Sequence, residues 1–429
     1  MELELGSFIV REVALGETTR LQDGRLSIAP DEIRALVADS PELRGMTVDV
    51  AQPGESTRIA HILDGIEPRC KVSGPGSIFP GLLGPPVTVG SGRTHQLDGV
   101  AVLTTATIPG ASDGLGVKEA LVDMAGPAAP YSPFSRLRNV VLQFDLREGL
   151  SIIEATAAVR LAGLKVAAYL AGVTREYRPD RLERFVLPPA SSALPRVAYL
   201  CQVMTEGDIH TTYLYGLNVE GMLPTLLHPN EFMDGALVAG DYHIAAMRVA
   251  TYQFQNNSVV HELCRLHGRA LDFRGVILAR NMWWAPGAKQ RSAEFSAKLA
   301  RQIGAEGVVI TMQNGGHAVS DLMLACQSCE RAGLKTAIVL FEMADADGSD
   351  WSLVDVAPEA DAMVSTGNMD AVITLPPVDR VLGGTTLLDF NQYEGGGDAH
   401  LGGAFTTALR RIYCATTPGG DGRLRARAA

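Results

Sequence analysis

Asp241, Tyr242 and His243 place a carboxylate, a phenol and an imidazole on consecutive residues, a set able to do acid–base work on a bound substrate. The alternative is that Tyr242 merely packs. Cys326 and Cys329 form a C-x-x-C pair, the obvious redox candidate. Reactive pairs of this kind usually begin at a helix N-terminus, where the dipole favours the thiolate. Here Leu322, Cys326, Cys329 and Gly333 instead follow the spacing of one inward face of a helix. Small core hydrophobes are the expected reading, with a redox role as the alternative. No second Cys or Cys/His pair completes a zinc site.

Other patterns fail on spacing. His261–Glu262 opens like H-E-x-x-H, but position 265 is Arg, and His267 falls on another helix face. The acidic run from Asp345 to Asp350 has a calcium loop's composition only. Its glycine, Gly348, comes fourth rather than sixth, and Val356 stands where the loop needs Glu. Gly90–Ser91–Gly92 lacks the third glycine of a dinucleotide fingerprint, and GPGSIFPG lacks the ending of a Walker loop. Both are read as turns and close backbone packing. His95, just beyond, either faces a substrate or makes a structural hydrogen bond. Glu206, Asp208 and His210 have the types of a metal site but not its ligand density, so a solvated turn is expected there. No metal site is predicted.

The elements that position these residues change character along the chain. Up to about residue 150 it is β-rich, with strand patterns at Ser7–Val13, Thr47–Ala51 and Val100–Thr105 and a short helix at Asp31–Ala38. Ile152–Thr174 is Ala- and Leu-rich on more than one face, so it is expected to be buried or to pack against another subunit. Strands follow at Val197–Val203 and Thr211–Leu217. Then a regular alternation sets in. Asn257 caps a helix running to His267 and ended by Gly268. Phe273–Ala279 is a strand, and Ala288–Ile303 a helix with Ser292, Phe295, Leu299 and Ile303 inward. Val308–Thr311 is a strand, Ser320–Ala332 a helix, Thr336–Phe341 a strand, and Ala362–Ser365 and Ala371–Leu375 are short strands. The fold class is α/β: a β-rich mixed N-terminal region (1–150), a helix plus α/β segment (151–240), and a Rossmann-like parallel-sheet domain (241–429). Ligands of such sheets sit beyond the strands' carboxyl ends, which points to the loops Arg280–Gly287, Met312–Val319 and Glu342–Trp351.

The stretch Met233–Asn257, MDGALVAGDYHIAAMRVATYQFQNN, is the junction between the irregular and the regular parts. Its Met233, Asp234, Gly235, Ala236, Gly240, Gln255, Asn256 and Asn257 carry a resemblance, as do Glu67–Pro68–Arg69, GPGSIFPG, VGSGRTHQLDG and MAGPAAPYSPFS at Met124–Ser135. Together they resemble the α/β-precursor subunit of component B of the glycine, sarcosine and betaine reductases, to which the D-proline reductase precursor is related. In that family the chain cuts itself at a cysteine a few residues after the MDGA-like motif. The new N-terminus becomes a pyruvoyl group that engages the substrate amine. The resemblance puts Tyr242 in the cysteine's place. Self-cleavage of this kind needs a hydroxyl or thiol on Cβ, and between Gly240 and Ala250 there is none; Thr251 is the first. An unprocessed chain without a pyruvoyl group is therefore expected.

The resemblance also implies a companion component-B-like subunit bearing a thiol or selenol, a small amine or amino-acid substrate, and reductive cleavage of a C–N bond in a hetero-oligomer. It makes Asp241, Tyr242 and His243 the catalytic candidates and His95, His210, Asn256 and Asn257 the substrate-binding ones. The other reading is a non-catalytic scaffold that stabilises its partner. A net charge of −11 argues against nucleic acid or an anionic membrane as partner. No basic-then-apolar leader and no apolar run of roughly 18 residues is seen. The six cysteines form no dense framework, so a cytoplasmic location is expected.

Overall fold

The computed structural model describes residues 1–108, 120–206, 211–345, 347–349, 353–386 and 400–418. Asp208, His210, Asp350 and Trp351 lie outside them. The architecture is mixed α/β, with several small mixed sheets and one six-stranded, mostly parallel sheet.

The first half holds two four-stranded sheets. In spatial order one is Arg181–Val186, Glu2–Ile9, Gly92–Asp98 and Arg69–Ser73; the other is Leu43–Ala51, Arg138–Leu146, Val100–Thr105 and Ile62–Ile66. Val100–Thr105 and Ile62–Ile66 are buried along their whole length, because helix Ile152–Gly172 packs across them. Ser151 and Glu154 start that helix with reciprocal side-chain-to-backbone hydrogen bonds. Its apolar faces are largely met by its own chain, with Ile153 and Leu161 left exposed.

Two strand patterns divide where the backbone changes partners. The predicted Ser7–Val13 becomes Glu2–Ile9 and Glu12–Leu15, since Val10 N donates to Asp98 O whereas Arg11 N donates to Gly24 O. The predicted Thr211–Leu217 is a hairpin, Tyr213–Leu214 against Leu217–Asn218. Tyr215 and Gly216 turn it with φ of 50° and 76°, the doubly positive geometry that suits a two-residue loop.

The five parallel strands of the large sheet run Asp272–Arg280, Arg196–Val203, Gly307–Met312, Lys335–Glu342 and Met363–Asn368 across it. Thr225–Leu227 adds an antiparallel edge beside Asp272–Arg280. Two of these six strands precede residue 241. From the central Arg196–Val203 the chain builds first to one side, then crosses to build Gly307–Met312 on the other. Strand order thus reverses at the carboxyl end of Arg196–Val203, the place where open α/β sheets offer a crevice.

Residues alternate between the sheet's faces. Ala198, Leu200, Ile277 and Ile310 meet helices Pro286–Gln302 and Ala318–Arg331. Tyr199, Cys201, Val276 and Leu278 meet Phe232, Phe254 and Leu263. Asn257 caps the helix Ser258–Leu266 by accepting from Val260 N. The inward stripe of Pro286–Gln302 differs from the predicted one: Ser292, Ala293, Ser296, Ala297 and Ala300 are buried, while Phe295 is 38% exposed with the Lys298 ammonium over its ring. Small residues let this helix lie close to its neighbours, and side-chain size alone selects the wrong face. Among the described residues no helix is long and apolar enough to cross a membrane.

Candidate functional site

The sequence passages that carry the resemblance converge on the junction. Arg69 is fully buried; it donates to Glu67 Oε2, to Asn256 Oδ1 and to the main-chain oxygen of Met233. Gln255 exchanges hydrogen bonds with both backbone polar groups of Glu67. Asp234, also fully buried, accepts from Lys71 Nζ, Gly90 N and Thr94 Oγ1. Gly235 follows at φ 83°, and a Cβ there would press into Ile78 of the GPGSIFPG stretch. These residues form a frame that holds the chain entering and leaving positions 233–257.

Within that frame, neighbouring side chains part company. Tyr242 enters the N-terminal core, where Arg160 Nη2 of the long helix donates to its hydroxyl at 3.1 Å. Burial pushes the phenol's pKa up, although Arg160 opposes this. Arg248 holds the backbone here, donating to the carbonyls of Tyr242, His243 and Ile62. Thr251 donates its N–H and its hydroxyl to Asp64, whose pKa burial raises to about 7 against these hydrogen bonds.

Asp241 belongs to a different neighbourhood. Gly240 comes so close to Thr211 that a Cβ would lie 1.9 Å from its carbonyl oxygen, and Thr211 N donates to Gly240 O. Thr211 also bridges back to Thr205, with their hydroxyl oxygens 3.1 Å apart. Asp241 and Glu206, one residue past Gly240 and Thr205, are thereby brought to one place beyond the central strand. Burial raises the Asp241 carboxyl to about 6, with Arg248 and the His243 N–H opposing. Glu206 is raised by burial and then by the charge of Asp241, with His317 acting the other way.

The remaining wall comes from the carboxyl ends of the flanking strands. Gln313 Oε1 accepts from Met204 N and Thr212 Oγ1, and Asn281 Nδ2 donates to Gln313 O. Met282 and Asn314 both have positive φ, 58° and 65°, as the chain leaves those strands. His317 stacks on Trp284, whose ring is the exposed rim at 65%, and Lys289 pairs with Asp321 beneath. Among the described residues, both Glu206 oxygens, Asp241 Oδ2, Asn281 Oδ1 and Gln313 Nε2 are buried without a hydrogen-bond partner. Such atoms cost stability unless ordered water or a ligand satisfies them.

The other candidates have structural partners. His95 is buried on strand Gly92–Asp98, its Nδ1 shared with the oxygens of Thr174 and its ring beside Phe8. Asn256 belongs to the Arg69–Glu67 frame, and Asn257 is the helix cap. Cys326 and Cys329 are fully buried free thiols, one inside helix Ala318–Arg331 and one in its last turn, with Cys329 pushed up by burial to about 12. His243 is half-buried next to Asp241. No group of three or more His, Cys, Asp or Glu among the described residues is placed to hold a metal ion. Sequence reasoning named the loops Arg280–Gly287 and Met312–Val319 but not Asn281, Gln313 or His317 within them. Their only signal was position after a parallel strand.

Fold and site together define a mixed α/β protein with partnerless buried polar groups at the reversal point of its six-stranded, mostly parallel sheet. Comparison with known proteins gives the family. The pattern of the glycine/sarcosine/betaine reductase component B subunits matches residues 1–427, and the chain belongs to that family. It is 35% identical to the glycine reductase complex component B subunits alpha and beta of Acetoanaerobium sticklandii over 436 residues, covering 100% of both chains. It is 36% identical over 437 residues to the sarcosine reductase complex component B subunit alpha of Peptoclostridium acidaminophilum, again covering 100% of each. The betaine reductase complex component B subunit alpha of that organism is 33% identical over 94% of this chain and 92% of its own. No solved structure matches.

Proposed function

We propose that this chain is a subunit of a reductase complex that reductively cleaves a C–N bond in a small amine or amino acid. A companion subunit carries the thiol or selenol, and this chain supplies the substrate site. Full-length membership of a family of reductase-complex subunits supports the reading. The observation that carries it to a site is the set of partnerless buried acceptors at Glu206, Asp241 and Asn281. We read the parallel sheet as Rossmann-like and the working location as the reducing cytoplasm, consistent with six free cysteines.

The residues at the junction do not fit a pyruvoyl group formed at position 242. Tyr242 has no Cβ nucleophile, its phenol is held in the core by Arg160, and Arg248 holds the adjoining carbonyls. On this reading the chain works unprocessed. Asp241 and His243 are the junction groups placed for proton transfer, and Tyr242 positions the backbone between them. The test is to purify the chain with and without its genomic neighbour, measure molar mass, and assay amine release from glycine, sarcosine and betaine with a dithiol reductant. Turnover should require both chains; a fully active monomer would defeat the reading.

A second reading, a non-catalytic scaffold, is favoured by the burial of Tyr242 where relatives' chemistry would lie. Under it the two chains assemble, but substitutions at Glu206, Asp241 and His243 leave turnover unchanged.

A further inference from the structure

We propose that Glu206 and Asp241 are the cation-recognising pair of the substrate site, with Trp284 and His317 as an aromatic rim over the substrate's amine substituents. This rests on the reading of a small amine as substrate and assigns residues to its recognition.

The argument starts from the imbalance of polar atoms. Among the described residues, both oxygens of Glu206, Asp241 Oδ2, Asn281 Oδ1 and Gln202 Oε1 are buried acceptors without partners where the strand order reverses. Among the described residues, Gln313 Nε2 and, next to Asn281, Arg280 Nε are partnerless donors at these strand ends. A ligand completing the acceptors must bring N–H donors or positive charge, because at Glu206 and Asp241 an anionic group would meet two carboxylates. An ammonium supplies three donors and neutralises one of two carboxylates that otherwise repel each other. Asp241 and Asn281 are 2% and 0% exposed, so their free acceptors are costly unless a bound group meets them.

The pair is assembled by the backbone. The Thr205–Thr211 bridge and the Thr211–Gly240 hydrogen bond set the two segments side by side, and Gln313 ties Met204 and Thr212 to the next strand. His317 lies near Glu206 and stacks on Trp284 at 5.3 Å, with its Nε2 against Trp283 O at 2.8 Å. An exposed indole braced in this way offers its face to a methylated ammonium. The carboxylates therefore bind the charge, and the rim distinguishes the degree of methylation.

Calorimetric titration of the full chain, alone and with its genomic neighbour, tests this with glycine, betaine and 3,3-dimethylbutanoate. The last has the shape of betaine without its positive charge. The parent should bind at least one of glycine and betaine and not the isostere, which lacks the cationic nitrogen. Glu206→Gln and Asp241→Asn should weaken amine binding about 10- to 100-fold, as loss of a charge-assisted contact does. Trp284→Ala should weaken betaine more than glycine. Should Asp241→Asn lose solubility, Glu206→Gln and Trp284→Ala decide alone. Equal binding of the isostere, unchanged affinity in these variants, or no binding by the parent would each overturn the assignment. A complex that turns over amine equally well with Glu206→Gln overturns this inference alone; failure to assemble and turn over at all overturns the proposed function.

Discussion

The Arg160 guanidinium donates to the Tyr242 hydroxyl at 3.1 Å and lies over the Tyr213 ring at 4.3 Å, tying the long N-terminal helix to the junction. Arg160 and Tyr242 are buried and Tyr213 is half-buried, so this contact anchors position 242 rather than presenting it to a substrate. Tyr242→Phe should leave a buried guanidinium short of an acceptor and cost about 1–3 kcal/mol, read from the urea midpoint. Arg160→Met should restore part of that loss in the double variant. A Tyr242→Phe chain of unchanged stability would contradict the anchoring role.

The chain should persist as one piece of 45.6 kDa. Intact-mass spectrometry and carbonyl-reactive labelling check this. Two fragments separating near residue 241 would show that another group drives cleavage.

Asp64 should make stability depend on pH. Its carboxyl titrates near 3.8 when unfolded and at about 7 when folded, so between those values the native state holds a proton that the unfolded chain has lost. Its contribution is fully present below pH 4, falls as pH rises toward 7, and is flat above. Asp64→Asn should remove that slope. Urea unfolding of both proteins at pH 5 and pH 8 measures it, and an identical difference at the two values would refute the assignment.

Cys326 and Cys329 should be inert. Burial holds both thiols above their ordinary pKa and away from reagents. A disulfide reagent at pH 8 should leave both unmodified in the native chain. Cys326→Ala with Cys329→Ala should cost on the order of 1 kcal/mol per site and no turnover. Rapid labelling, or lost activity in a folded double variant, would restore the redox reading.

Arg69 should be the costliest single residue in the frame. Arg69→Ala would strand Glu67, Asn256 and the Met233 carbonyl without their shared donor, an effect of about 3–5 kcal/mol. Loss of soluble protein, or a large fall in the urea midpoint, is the expected outcome; a near-neutral substitution would show that the frame has a substitute.

Local chemistry was legible in the chain itself. Asn257 caps its helix because a short polar side chain before an apolar run satisfies an orphan N–H wherever the helix lies. The inward stripe of Leu322, Cys326 and Cys329 follows from helical period alone. The absence of a Cβ hydroxyl or thiol from Asp241 to Ala250 is covalent fact. What the tertiary structure decided is where side chains from distant segments meet. Asp241 and Tyr242 are adjacent in sequence yet serve different neighbourhoods, one beyond the parallel sheet and one in the N-terminal core. Glu206, Asn281, Gln313 and His317 share no spacing that marks them as a group. They meet because the chain departs from Arg196–Val203 to one side and returns on the other. That reversal comes from how two halves pack and which faces must be covered, a long-range balance that local periodicity does not encode.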